Sequence, residues 1–168
     1  MQFIKKLVGD RIYLSPRGAS DEEIEKFTDW MNDFQTTDFI GRSGQVVTFI
    51  GEKEWLENST KNVQDRSFSI IELNHNKLIG TISLENFHWI DRSAVLGIFI
   101  GDKDFRNNGY GTEAIKLLLE YGFKYLNLHS IRLDLLSINE RAHKCYLKCG
   151  FKDTGCSREA IYVNGKYY

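Results

Sequence analysis

Apolar positions recur with two different periods along this chain, and each change of period marks a change of element. Arg11-Ile12-Tyr13-Leu14-Ser15 alternates briefly before the single proline, Pro16, and reads as a short strand. From Ser20 to Phe34 the residues Ile24, Phe27, Trp30, Met31 and Phe34 recur at helical spacing, with Ser20 or Asp21 placed as the cap. A second helix is predicted from Glu52 to Asn62, with Trp55, Leu56 and Val63 at its apolar positions, covering the sheet edge or a cleft. The period then falls to two. Ser67 to Leu73, Lys77 to Glu85 and Ala94 to Gly101 read as an antiparallel meander, joined by Asn74-His75-Asn76 and by a longer loop from His88 to Arg92. A helix from about Gly109 to Asn127, a strand from Ile131 to Ile138 and a short helix from Asn139 to Lys148, stopped at Gly150, complete the pattern. Strand, helix, strand implies a parallel pair with a right-handed crossover. The last stretch alternates weakly and holds Asn164-Gly165, a strong hairpin signal.

These elements predict an α/β protein with a mixed central sheet flanked by helices. At 168 residues and 42% hydrophobic content, with no repeat or proline-rich linker, residues 1–168 should form a single domain. A net charge of −1 supplies no basic field for nucleic acid, so no nucleic-acid partner is expected. The opening apolar stretch is too short for a signal peptide, and no run reaches the roughly 18 apolar residues of a membrane span, so a cytoplasmic protein without membrane contact is expected. Three cysteines, Cys145, Cys149 and Cys156, form an odd set and should stay reduced. His143, Cys145 and Cys149 cluster, but their spacing matches no common zinc finger, and no metal is expected.

The chemistry concentrates between Ser93 and Gly122. An apolar strand leads through a polar loop into Arg106-Asn107-Asn108-Gly109-Tyr110-Gly111, and a long helix follows at once. Free N–H groups at a helix start, the helix dipole and two glycines make an anion site, so a phosphate-bearing ligand is expected. Gly109-Tyr110-Gly111-Thr112-Glu113-Ala114 also fits the dinucleotide fingerprint G-x-G-x-x-A, with Asp134 lying 20 residues beyond Ala114. Against that reading, Gly101 to Asn108 separate the strand from the first glycine, and too little chain follows for a second nucleotide-binding half. A P-loop is excluded because no Gly-Lys-Ser or Gly-Lys-Thr opens the helix.

Arg106-x-x-Gly109-x-Gly111 after an apolar strand resembles the acetyl-CoA pyrophosphate loop of the GNAT superfamily of N-acetyltransferases. Asn139-Glu140-Arg141-Ala142, then Tyr146, then Gly150-Phe151, is similar to a second signature of that superfamily, and Trp30-Met31-Asn32-Asp33 and Asn164-Gly165-Lys166-Tyr167 look like its ribosomal-protein N-terminal and polyamine acetyltransferase branch. The resemblance implies a single GNAT-like α/β domain, with an antiparallel N-terminal meander and a parallel pair around the acetyl-CoA site. It implies that main-chain amides of Arg106, Asn107, Asn108, Gly109, Tyr110, Gly111 and Thr112 hold the CoA pyrophosphate, and that the pantetheine arm pairs with the backbone at Ile98, Phe99 and Ile100. Asn139 would bond the arm's amides, besides serving as an ordinary N-cap, and Tyr146 would stand beside the sulfur. Relatives continue past the equivalent of Tyr168 with a full final strand, so either the chain extends further or an open sheet edge invites pairing into a homodimer.

An amine of pKa near 10 is almost wholly protonated at neutral pH, so acetyl transfer needs a base or a water chain, and a thiol of pKa about 8.5 leaves with modest help from an acid. Tyr146 is the candidate acid. Many relatives carry a glutamate at the position of Val95, and valine moves no proton, so Glu85, His88 or bound water must serve as base. The helix from Asp21 to Asp33 sets six carboxylates against Lys26, a face that would attract a cationic acceptor or simply be solvated. Expected is direct acetyl transfer to a primary amine, on a protein N-terminus or a polyamine-like acceptor. An amino sugar or aminoglycoside is the alternative acceptor, and a non-catalytic acyl-CoA-binding domain the alternative class.

Overall fold

The computed structural model describes residues 3–62 and 64–168; the expected apolar position at Val63 lies outside them. Strand β1 (Leu7–Val8), which the sequence pattern does not reveal, pairs antiparallel with β2 (Ile12–Pro16). Helix α1 (Asp21–Met31) starts at Ser20 through a capping box, in which the Ser20 hydroxyl and the Glu23 carboxylate satisfy each other's backbone N–H groups. A short α2 (Phe34–Thr37), capped by Asp33, leads to α3 (Phe49–Lys61). The latter starts three residues before Glu52 because Thr48 accepts the Gly51 N–H and caps it there.

Three antiparallel strands follow, β3 (Arg66–Glu72), β4 (Lys77–His88) and β5 (Ser93–Ile100). Helix α4 (Tyr110–Lys124) crosses to β6 (Ser130–Arg132), which pairs parallel with β5, giving the order β1-β2-β3-β4-β5-β6. Helix α5 (Glu140–Lys148) begins at Asn139, and Gly150 takes the left-handed conformation, φ +93°, just past its end. A hairpin of β7 (Tyr162–Val163) and β8 (Lys166–Tyr167) turns at Asn164-Gly165 and forms its own two-stranded sheet. Both turn residues have positive φ, as a type I′ turn requires.

Alternation along β4 and β5 sends Ile82, Leu84, Ala94 and Leu96 to one face, where they pack with Ala114, Ile115 and Leu118 of α4. The opposite face meets α1 and α3 through Ile24, Phe27 and Leu56, with Phe99 against them. In its centre that second face is polar: Ser69, Thr81 and Ser83 are buried there, and the Ser69 hydroxyl donates to Glu23 at 2.7 Å.

The predicted strand from Ile131 to Ile138 is corrected to three residues. Its register with β5 stops at Val95 and Arg132, and beyond that point the chain leaves the strand so that Leu135 and Leu136 line a cleft instead. From Leu96 to Ile100 the side of β5 away from β4 therefore has no strand partner. The expected end of α4 at Asn127 also moves back to Lys124, and Asn127 adopts positive φ.

Candidate active site

The divergence of β5 and β6 opens a cleft of about 1430 Å³, larger than the 300–1,000 Å³ usual for one small ligand and large enough for two substrates. It runs from the start of α4, along the unpaired side of β5, to the polar sheet face beneath α3.

At its first end, Gly109 is the residue before α4, with φ +85° and no side chain to cap the helix. The first helical bond there is Glu113 N–H to the Gly109 carbonyl at 3.0 Å, so the amides of Tyr110, Gly111 and Thr112 precede the ladder and are free to bind an anion. Asn107 also has positive φ. Arg106, Asn107, Gly109, Gly111 and Thr112 line the cleft, whereas the side chains of Asn108 and Tyr110 are held elsewhere. Asn108 donates to the Asp104 carbonyl at 3.1 Å, and the Tyr110 ring lies between Phe105 and the Arg11 guanidinium.

Arg106 departs from the expected role of an amide donor. Its N–H donates to the Lys103 carbonyl at 3.2 Å, closing a 3₁₀ turn. Its guanidinium donates to the carbonyls of Ile100 and Gly101 at 2.9 and 2.8 Å and to the Thr36 hydroxyl at 2.7 Å. Burial and nearby Arg141 lower its pKa. The residue thus ties the glycine loop to the end of β5 and to α2.

Arg11, which sequence pattern marks only as the start of a strand, does the same from the other side. It donates to Glu113 at 3.0 Å and to the Asn108 carbonyl at 2.9 Å. A salt-bridging arginine just before β2, about a hundred residues away in sequence, leaves no local signature that could have disclosed this.

Ile98, Phe99 and Ile100 lie in the part of β5 that β6 does not reach, and all three border the cleft. Asn139 accepts the Ala142 N–H at 3.1 Å, its capping bond, and donates to the Phe39 carbonyl at 3.2 Å. One amide hydrogen and one lone pair of its carboxamide are left for a ligand. Tyr146 faces the cleft from α5 with its ring edge-on to Phe151, and no hydrogen-bond partner among the described residues reaches its hydroxyl. Burial, then the adjacent Cys145 and Cys149, push its pKa up to about 12, so it is protonated throughout the neutral range.

The two candidate bases separate. Glu85 lines the cleft, accepts the Ser83 hydroxyl at 2.6 Å, and sits directly across from Val95 in the β4–β5 register. Side chains opposed in this way share a face, so Glu85 presents its carboxylate to the region that a carboxylate at Val95 would serve. His88 lies outside the cleft lining. It is three residues further along β4, past an irregularity at Asn86, and its ring is held by Asp91 at 2.7 Å in the hairpin turn.

The acidic α1 face also divides: Asp21, Glu22, Glu25 and Asp29 are exposed, while Glu23 is buried in its capping box and Asp33 caps α2. His143 pairs with Asp153 at 2.9 Å, and Cys145 contacts the Thr112 hydroxyl at 3.2 Å.

Known proteins share this architecture. The spermidine N-acetyltransferase of Vibrio cholerae, solved in complex with CoA and spermine, superposes with a TM-score of 0.83 over 95% of this chain and 91% of that one, at 24% identity. In sequence, a probable N-acetyltransferase of Bacillus subtilis, YjcK, is 29% identical over 95% of this chain and 90% of its own length. The Vibrio cholerae spermidine N(1)-acetyltransferase is 34% identical over a shorter stretch, 58% of this chain and 56% of that protein. The model of the acetyltransferase (GNAT) domain matches residues 11–152, from β2 through α5, and so covers all of the cleft's lining except Ile161. The chain therefore belongs to the GNAT acetyltransferase family and is an acyltransferase that uses acetyl-CoA.

Proposed function

We propose that the protein transfers an acetyl group directly from acetyl-CoA to a primary amine, carried by a protein N-terminus or a polyamine-like acceptor. The observation that carries this reading is the cleft itself, in which free helix amides, an unpaired strand edge, a protonated tyrosine and a carboxylate follow one another. Similarity to the spermidine acetyltransferases, one of them solved with CoA and spermine, supports a cationic amine as acceptor.

In this reading the amides of Tyr110, Gly111 and Thr112 bind the pyrophosphate, and the backbone at Ile98 to Ile100 pairs with the pantetheine amides, which align the arm as an added strand would. Acetyl-CoA supplies the reactive thioester. Glu85 takes a proton from the acceptor ammonium and so produces the neutral nucleophile. Tyr146 gives its hydroxyl hydrogen to the departing sulfur; its free hydroxyl suits a donor whose partner arrives with the substrate.

The test is thiol release from acetyl-CoA across a panel of polyamines, peptide N-termini and aminoglycosides, run beside thermal melts with CoA and with NAD. Release with at least one amine, and a melting shift with CoA but none with NAD, is expected. A CoA shift without release on any amine would make the protein a non-catalytic acyl-CoA binder, and protection by NAD alone would overturn the assignment of the site.

A further inference from the structure

Glu52 lies in the acceptor half of the cleft without any part in the chemistry above. On α3 it precedes Leu56 by one turn, so it shares the inward face of the helix and keeps only 6% of its surface exposed while lining the cleft. Among the described residues no hydrogen-bond donor reaches its carboxylate. The residue is buried, yet its carboxylate oxygens are not among the enclosed atoms left without a partner, so they stay open to the cleft, where a cationic ligand can reach them.

The nearby cations do not fill that role. Arg17 and Arg42 act on Glu52 through space, and Arg17 is shared: Glu85, Glu23 and Asp65 draw on the same charge. The Arg17 guanidinium donates to the Ser59 hydroxyl at 2.7 Å and rests on the Trp55 ring, and its buried Nε has no acceptor. Burial outweighs both arginines and raises the Glu52 pKa, as expected of a carboxylate short of counter-charge. Glu52 from α3 and Glu85 from β4 thus border the same space from two walls, one hydrogen-bonded by Ser83 and one not.

We propose that Glu52 is a positioning residue that selects acceptors bearing a second cationic group: it receives an ammonium other than the one acetylated, while Glu85 serves the reacting amine. The inference rests on the reading that the acceptor enters this half of the cleft and reacts beside Glu85. A carboxylate already desolvated by the fold pairs with an ammonium more strongly than a surface one, and the pairing satisfies the oxygens that the protein leaves bare.

The experiment compares 1,4-diaminobutane with butylamine, equal in length and differing by one ammonium, in wild type and Glu52→Gln. Expected is a rise in the KM for the diamine of about tenfold or more in Glu52→Gln, with kcat within about twofold and the butylamine KM unchanged. Glu52→Asp, which keeps the charge on a shorter arm, should fall between the two. Calorimetric titration of both amines into the CoA-loaded protein gives the same comparison without turnover, so a wild type that acetylates neither amine fails the transferase reading and still tests Glu52. Equal losses for both amines, no change for the diamine, or a collapse of kcat at constant KM would overturn the proposal, the last by making Glu52 a base.

Discussion

Tyr146 shows how a single side chain can hold two roles that one substitution separates. Its ring packs edge-on against Phe151, whereas its hydroxyl has no hydrogen-bond partner among the described residues and the side chain lines the cleft. Tyr146→Phe should therefore leave folding and acetyl-CoA binding close to wild type and lower kcat by roughly 10²-fold, the lower end of general-acid effects because a thiolate can depart unaided. Steady-state kinetics with a thermal melt checks both halves, and full activity in the variant would reduce Tyr146 to packing. The residue was legible because it stands in a motif. Glu52 was not, since at the start of a helix it passes for a first-turn acid favoured by the dipole, and only the earlier cap at Thr48 turns it inward. Its spacing of four from Leu56 was the available signal. His88 misled for the converse reason: nearness in sequence to Glu85 says nothing about the Asp91 contact that holds its ring in the turn.

At the scale of elements, the order of strands and helices followed from periodicity, but the feature that makes the cleft did not. The run from Ile131 to Ile138 alternates well enough for a long strand, and what ends it is loss of its partner on β5, a tertiary fact. Two short elements, β1 and α2, escaped because two or four residues carry no period. The glycines also separate only in three dimensions. A Cβ on Gly101 would lie 2.0 Å from Trp30 Cδ2, and one on Gly80 would lie 2.3 Å from the Phe99 carbonyl, so both serve packing. A Cβ on Gly111 would meet Ile100 Cγ1 at 3.8 Å and Ile98 Cδ1 at 4.0 Å, ordinary contact distances. Packing therefore does not require glycine at the second residue of α4, which fits the proposed close approach of the CoA pyrophosphate there. Gly111→Val should raise the KM for acetyl-CoA about tenfold, roughly 1.4 kcal/mol, without changing the acceptor KM or lowering the denaturation midpoint by more than a small margin. A variant that loses stability while binding acetyl-CoA normally would return Gly111 to a packing role.

Across the whole molecule, the shifted groups set different limits on the acid and alkaline sides. On the acid side they oppose one another. Burial works against charge at Asp33 and Glu72, yet the Thr36 hydroxyl and Gln35 N–H at the first, and the N–H groups of Asn74 and His75 at the second, hold both pKa values low. Glu52 is shifted the other way, by burial. On the alkaline side burial lowers the arginines Arg17 and Arg106, while the cysteine, tyrosine and lysine shifts, which fall at lower pH, share one sign. Burial and Cys145 push Cys149 up to about 11, burial and the same two thiols push Tyr146 up to about 12, burial raises Tyr13, and the bond to Asp102 raises Lys77. A group whose pKa is higher in the folded state keeps its proton while the unfolded chain has already released it. The stability it contributes is then complete below the unfolded pKa and declines as pH rises through the folded one. The urea midpoint should thus begin to fall as pH approaches about 8.5, where an unfolded cysteine is half ionised, and fall steadily toward pH 12. Because Tyr146 and Cys149 both lie in the α5 region that packs against α4, Tyr146→Phe should remove the steepest part of that fall above about pH 10 and leave the earlier part intact. Midpoints measured at intervals from pH 7 to 11.5 in wild type and variant decide it: identical alkaline limbs would mean that Tyr146 has the same pKa folded and unfolded, so that burial in the α5 region does not raise it.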